Sequence, residues 1–94
     1  MKTTIEKKPA KEKEPKKVGI VKSFFSNINV AAIHLDAPLS VGDKIQIRGH
    51  TTDFKQTVDS MQIDREPIEE ALKGSEVGIK VKDRVRPNDI VYKL

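Results

Sequence analysis

The sequence predicts an all-β fold: a small closed six-stranded antiparallel β-barrel with one short helical turn, preceded by a disordered tail. Three observations carry that prediction. Two glycine-containing turns, Val41 Gly42 Asp43 and Gly74 Ser75, each stand just before a run in which apolar and polar residues alternate. Alternation of this kind is the period of a strand with one buried face. The third observation is a change of composition near Val18, where a Lys/Glu-rich stretch gives way to apolar-patterned sequence.

In order along the chain, residues 1–17 hold seven lysines and three glutamates, with Ile5 the one large aliphatic residue and prolines at 9 and 15. Such a stretch buries too little apolar surface to offset its ordering entropy and is expected to be disordered. It reads either as an arm that contacts phosphates without sequence preference or as a solubilising extension. The domain proper is expected over residues 18–94. Val18 to Phe25 is apolar on both faces and reads as the first strand, closed by Ser26 and Asn27. Ile28 to Leu35 is the second strand, ended by Pro38, which cannot donate to a ladder.

Gly42 supplies a turn conformation that a β-carbon resists. Lys44, Gln46 and Arg48 then alternate with Ile45 and Ile47 in the third strand. A longer fourth strand, Phe54 to Asp64, changes phase, because Val58 falls on one face and Met61 and Ile63 on the other. A β-bulge near Asp59 and Ser60 is the expected repair. Pro67 to Lys73 reads as a short helical turn, with proline at its start, Glu69 and Glu70 at the positive dipole end and Lys73 at the negative end. Val77, Ile79 and Val81 form the buried side of the fifth strand, and Ile90 to Leu94 the sixth. Closure into a barrel removes edges that would otherwise aggregate.

Composition narrows the function. The 94 residues include no cysteine, so neither disulfides nor thiolate metal sites are expected, and a reducing, cytoplasmic setting fits. No apolar run approaches the roughly 20 residues of a membrane span, and the N-terminal stretch lacks the apolar segment of a secretory signal. The formal charge of +4 resides in the tail, since residues 18–94 contain eleven basic and eleven acidic side chains. No Gly-x-x-x-x-Gly-Lys-Ser/Thr loop is present to cradle nucleotide phosphates. His34, in a strand, and His50, in a loop, lack metal-ligand spacing. Glu69 and Glu70 are explained by a helix start, and no serine sits in a nucleophile elbow. Phe24, Phe25, Phe54 and Tyr92 are the only aromatic residues, too few for the usual base-stacking platform. Enzymatic activity, a cofactor, a metal and a nucleotide are therefore not expected.

The order of elements carries a resemblance. Val41 Gly42 Asp43 before Ile45, Ile47 and Gly49, then Val58 to Gln62, then Glu70 Ala71 followed by Gly74 and Val77 Gly78 Ile79, resembles the second domain of translational GTPases such as elongation factor Tu. The chain also looks like the small stand-alone translation elongation factor-like proteins of archaea and bacteria, and is similar to the barrel appended to U32-type peptidases. The resemblance spans Val18 to Leu94. In elongation factor Tu it implies a site for the aminoacylated end of tRNA, built on a glutamate and an asparagine. The aligned positions here are Gln62 and Glu76, and neither matches.

Two functions follow as expectations. Lys80, Lys82, Arg84 and Arg86 recur at every second position, so an extended backbone projects them from one face. Lys44 and Arg48 show the same spacing, and Arg65 stands near Gln62. With the lysine-rich tail and the translational resemblance, these seven imply an RNA- or ribosome-associated module that holds a phosphate backbone; the plain alternative is a solvated strand face. The second expectation is an accessory barrel that docks on a partner enzyme, as the U32-type resemblance implies, with Phe24, Phe25 or Tyr92 as anchor. The identity of the partner and the oligomeric state stay open.

Overall fold

The computed structural model describes residues 16–94. The disordered tail expected over residues 1–17 lies outside the described residues up to residue 15, and the first strand reaches back to Lys16. Ten strands follow one another: β1 (Lys16–Phe25), β2 (Val30–Leu35), β3 (Leu39–Ser40), β4 (Lys44–Arg48), β5 (Asp53–Thr57), β6 (Met61–Ile63), β7 (Glu66–Ile68), β8 (Glu70–Ala71), β9 (Glu76–Lys80) and β10 (Ile90–Lys93). Eight form one antiparallel sheet in the order β5-β4-β10-β1-β2-β9-β6-β7, and β3 pairs separately with β8. The architecture is all-β, with no helix among the described residues.

The core is the inward face of this sheet. Val21, Ile33, Ile45, Ile47, Ile79 and Val91 are completely buried, and each alternates with an outward neighbour, as a two-residue period requires. β1 is the hinge of the sheet because it pairs with β10 on one side and β2 on the other. Its register shifts at Val18 and at Lys22, and such bulges bend a strand and increase its twist. Gly19 lets the backbones meet: a β-carbon there would stand 2.7 Å from the His34 carbonyl oxygen and 2.9 Å from Ile33 Cγ2.

Four expectations are corrected. The hydrogen-bonded sheet has eight strands instead of six, and its ladder ends at β5 and β7 without closing. The predicted strand Phe54 to Asp64 is two strands, β5 and β6, placed near opposite ends of the sheet order. The phase break that suggested a bulge is where the chain crosses: Val58 is buried, its N–H donates to the Asp43 carbonyl, and its own carbonyl accepts from Gly42, both at 2.8 Å. The predicted helical turn is absent as well. Ile68 pairs with Met61, and Glu70 and Ala71 pair with Ser40 and Leu39. Seven residues are too few to nucleate a helix against available ladder partners. Finally, β9 ends at Lys80, so Lys82, Arg84 and Arg86 lie beyond the strand.

Residues that follow β9 run alongside the free edge of β5. The Gln56 side chain donates to the Lys80 carbonyl and accepts from the Lys82 N–H, both at 2.9 Å. At the other end, Arg86 Nε donates to Thr51 Oγ1 at 3.1 Å. Val81 and Val85 are buried beneath this run. Side-chain bonds thus blunt the β5 edge where no ladder does.

Candidate functional site

Two outward faces present more than scattered surface residues. The first is a groove of about 450 Å³ over β2, β9 and β6. Its floor is Val30 and Ala32 of β2 and Gly78 of β9, and its apolar lip is Phe25 and Ile28. The groove exists because Gly78 has no side chain: a β-carbon there would sit 3.2 Å from Val30 Cγ1 and 3.3 Å from Gln62 Cγ. Phe25 and Ile28 are 49% and 53% exposed, a large apolar outlay on a domain of this size.

The polar wall comes from Gln62, Asp64, Arg65 and Glu76. Asp64 and Arg65 form the two-residue loop between β6 and β7, with φ of 52° and 69°. That is the left-handed pair a primed hairpin turn needs, and it normally falls to Asn and Gly. Glu76 lies 3.4 Å from His34 Nδ1 across the β2–β9 pair. The two positions that align with the tRNA-end site of elongation factor Tu, Gln62 and Glu76, therefore do share one groove. Their chemistry departs from that site, and an acidic side chain stands where an uncharged one is needed.

The second face is basic. Lys44 and Arg48 are exposed at the two ends of β4. Lys55 of β5 pairs with Gln46 between them and is exposed on the same side. Lys80, Lys82, Arg84 and Arg86 are exposed along the run that flanks β5. The two stripes foreseen in the sequence thus become neighbours, separated by β5 alone. Arg65 does not join them; it lines the groove at the Glu76 end of β9. Lys55 was missed by sequence reasoning because it fell in a segment whose phase was ambiguous.

The aromatic candidates also separate. Phe25 lines the groove, whereas Phe24 packs against the core and Tyr92 is half-buried on β10 opposite Gln46. Ile28, in the β1–β2 connection, was assigned to a strand and so missed as an exposed anchor. Among the described residues no group of three His, Cys, Asp or Glu side chains is placed to hold a metal ion. No helix of the described residues is long and apolar enough to cross a membrane.

No family model matches the chain. It is 42% identical over 78 residues to an uncharacterized protease of Methanocaldococcus jannaschii, covering 82% of this chain and 19% of that protein. It is 36% identical over 73 residues to a collagenase of Porphyromonas gingivalis, covering 76% of this chain and 20% of the collagenase. The chain thus spans about a fifth of the length of these curated relatives. Among solved structures, the C-terminal domain of a Geobacillus thermoleovorans protein named as a U32 peptidase superposes with a TM-score of 0.79 at 18% identity, covering 100% of this chain and 98% of that one. Its selenomethionine variant gives the same TM-score over 83% of this chain and 99% of that one. These matches give the translation-factor side of the resemblance no support. The chain carries the fold of the C-terminal domain of that U32 peptidase.

Proposed function

We propose that the chain is a non-catalytic accessory module that docks on the catalytic body of a U32-type peptidase through the groove over β2, β9 and β6. The observation that carries this reading is the pattern of similarity. Proteins named as proteases share about a fifth of their length with this chain, and the fold is that of a C-terminal domain. A segment of that kind is an addition to a larger body. The groove supplies the means: Phe25 and Ile28 are apolar anchors, and the rim of Gln62, Asp64, Arg65 and Glu76 adds directional polar contacts. Interface energy concentrates in such central anchors. A role in translation draws no support from the comparisons.

The test is a calorimetric titration of this chain into a U32-type peptidase catalytic body. The expected result is a complex that persists in moderate salt, because apolar contact dominates, and weakens at least about tenfold with Phe25→Ala together with Ile28→Asp. Absence of a complex, or one indifferent to those substitutions, contradicts the reading.

A further inference from the structure

We infer a second binding function for the surface around the β5 edge: Lys44, Arg48, Lys55, Lys80, Lys82 and Arg84 hold the phosphodiester backbone of a single-stranded nucleic acid. This inference goes beyond docking and rests on different residues. Its first support is that these cations are unspent. The three ion pairs among the described residues use Lys17, His34 and Lys93, so none of the six has a carboxylate partner within 4.0 Å among the described residues. Carboxylates are nevertheless abundant, eleven of them in residues 18–94. Five of the eleven, Asp64, Glu66, Glu69, Glu70 and Glu76, fall from the β6–β7 loop to the start of β9, away from these cations.

Four acids lie near these cations. Asp53 accepts from the Gln46 amide at 2.8 Å, Asp59 lines one concavity with Lys80 and Lys82, and Asp83 is exposed. Asp89 is buried and accepts from the Arg86 N–H at 2.9 Å. Four carboxylates against six cations leave a net positive field, and such a field attracts polyanions.

Geometry selects the kind of polyanion. The cations stand in three rows, on β4, on β5 and on the run held beside it by Gln56. Neighbouring strands lie roughly 4.8 Å apart, and outward residues repeat about every 6.8 Å along a strand. A five-residue strand extends about 17 Å, so each row is a track along which an extended backbone can run, as in the positively charged grooves that hold single strands. The concavity on this surface, about 500 Å³ between Gln56, Asp59, Lys80 and Lys82, includes a carboxylate and so does not suit a compact anion. An extended polymer gains from each contact through counterion release.

Fluorescence anisotropy of a labelled single-stranded RNA 20-mer, titrated with the full chain at increasing salt, tests this directly. Six phosphate contacts predict a log–log salt slope of about −4, at about −0.7 per contact. The variant Lys44→Gln, Lys55→Gln, Lys82→Gln should reduce the slope to about −2 and weaken binding at least tenfold at low salt. Lys73→Gln, exposed ahead of β9 and outside this surface, should leave both unchanged. The single variant Lys55→Gln, compared by melting temperature with the native chain, separates lost contact from lost folding. Three outcomes overturn the inference: no binding at about 50 mM salt, a slope indifferent to the triple variant, or poly-glutamate competing as well as RNA per unit charge.

Discussion

The groove face and the basic face are built from the same strand alternation over the same core, yet they differ in what stands outward. On β2 and β9 the outward positions hold Val30, Ala32, His34, Glu76, Gly78 and, at the end of β9, Lys80. On β4 and β5 they hold Lys44, Gln46, Arg48, Asp53, Lys55 and Thr57. One face is concave because a side chain is missing; the other is studded with cations that have no carboxylate partner among the described residues. The fold therefore fixes the positions of both faces, while the ligand chemistry belongs to the outward residues alone.

The largest effect on this comparison comes from the shared core. Ile33, completely buried on β2, lies beneath the sheet that supports both faces. Ile33→Ala should cost about 3 kcal/mol, from lost burial and the cavity left behind. Urea denaturation should show that loss, and both binding activities should fall together.

Gly49→Ala separates the faces. A β-carbon there would overlap the buried Asp89 carboxylate, which holds the Arg86 turn. A cost of about 2 kcal/mol is expected, the usual scale of overpacking. In the fraction that remains folded, the disturbance should be local. Amide exchange should rise first between Thr51 and Asp89 along the β5 edge and leave the Gly78 region unchanged.

Replacing the β6–β7 loop acts in the opposite sense. Asp64→Asn with Arg65→Gly gives the two left-handed positions residues that adopt them readily. Stability measured by denaturant should rise by about 1 kcal/mol, while affinity at the groove falls as the Arg65 contact is lost. The smallest effect belongs to His34 and Glu76. Both side chains are well exposed, at 38% and 68%, and surface pairs of this kind contribute little. His34→Ala should shift stability by less than about 0.5 kcal/mol in the same assay.

Much of the fold was legible in local pattern. Ile45 and Ile47 of β4, and Val77 and Ile79 of β9, alternate so regularly that their burial follows from the sequence. What was not legible depended on non-local pairing. Leu39 with Ala71, and Met61 with Ile79, are ladder partners far apart in sequence. No short window of residues reveals such partners, so the segment from Pro67 to Lys73 resembled a helical turn by its charge pattern. The sites divide in the same way. The basic residues were visible as period-two spacing, but their union depends on Gln56 reaching Lys80 and Lys82, a contact between distant segments. The groove was visible only through the aligned positions Gln62 and Glu76. Its floor is the absence of a side chain at Gly78, and its lip includes Ile28 from a connection.

Hydrogen–deuterium exchange of the chain, alone and with a U32-type peptidase catalytic body, tests the docking claim most directly because it reports both faces at once. The expected result is protection confined to the amides of Phe25 to Ala32 and of Gln62 to Gly78, with β4 and β5 exchanging as in the free chain. Protection centred on β4 and β5, or no protection at either face, would contradict it.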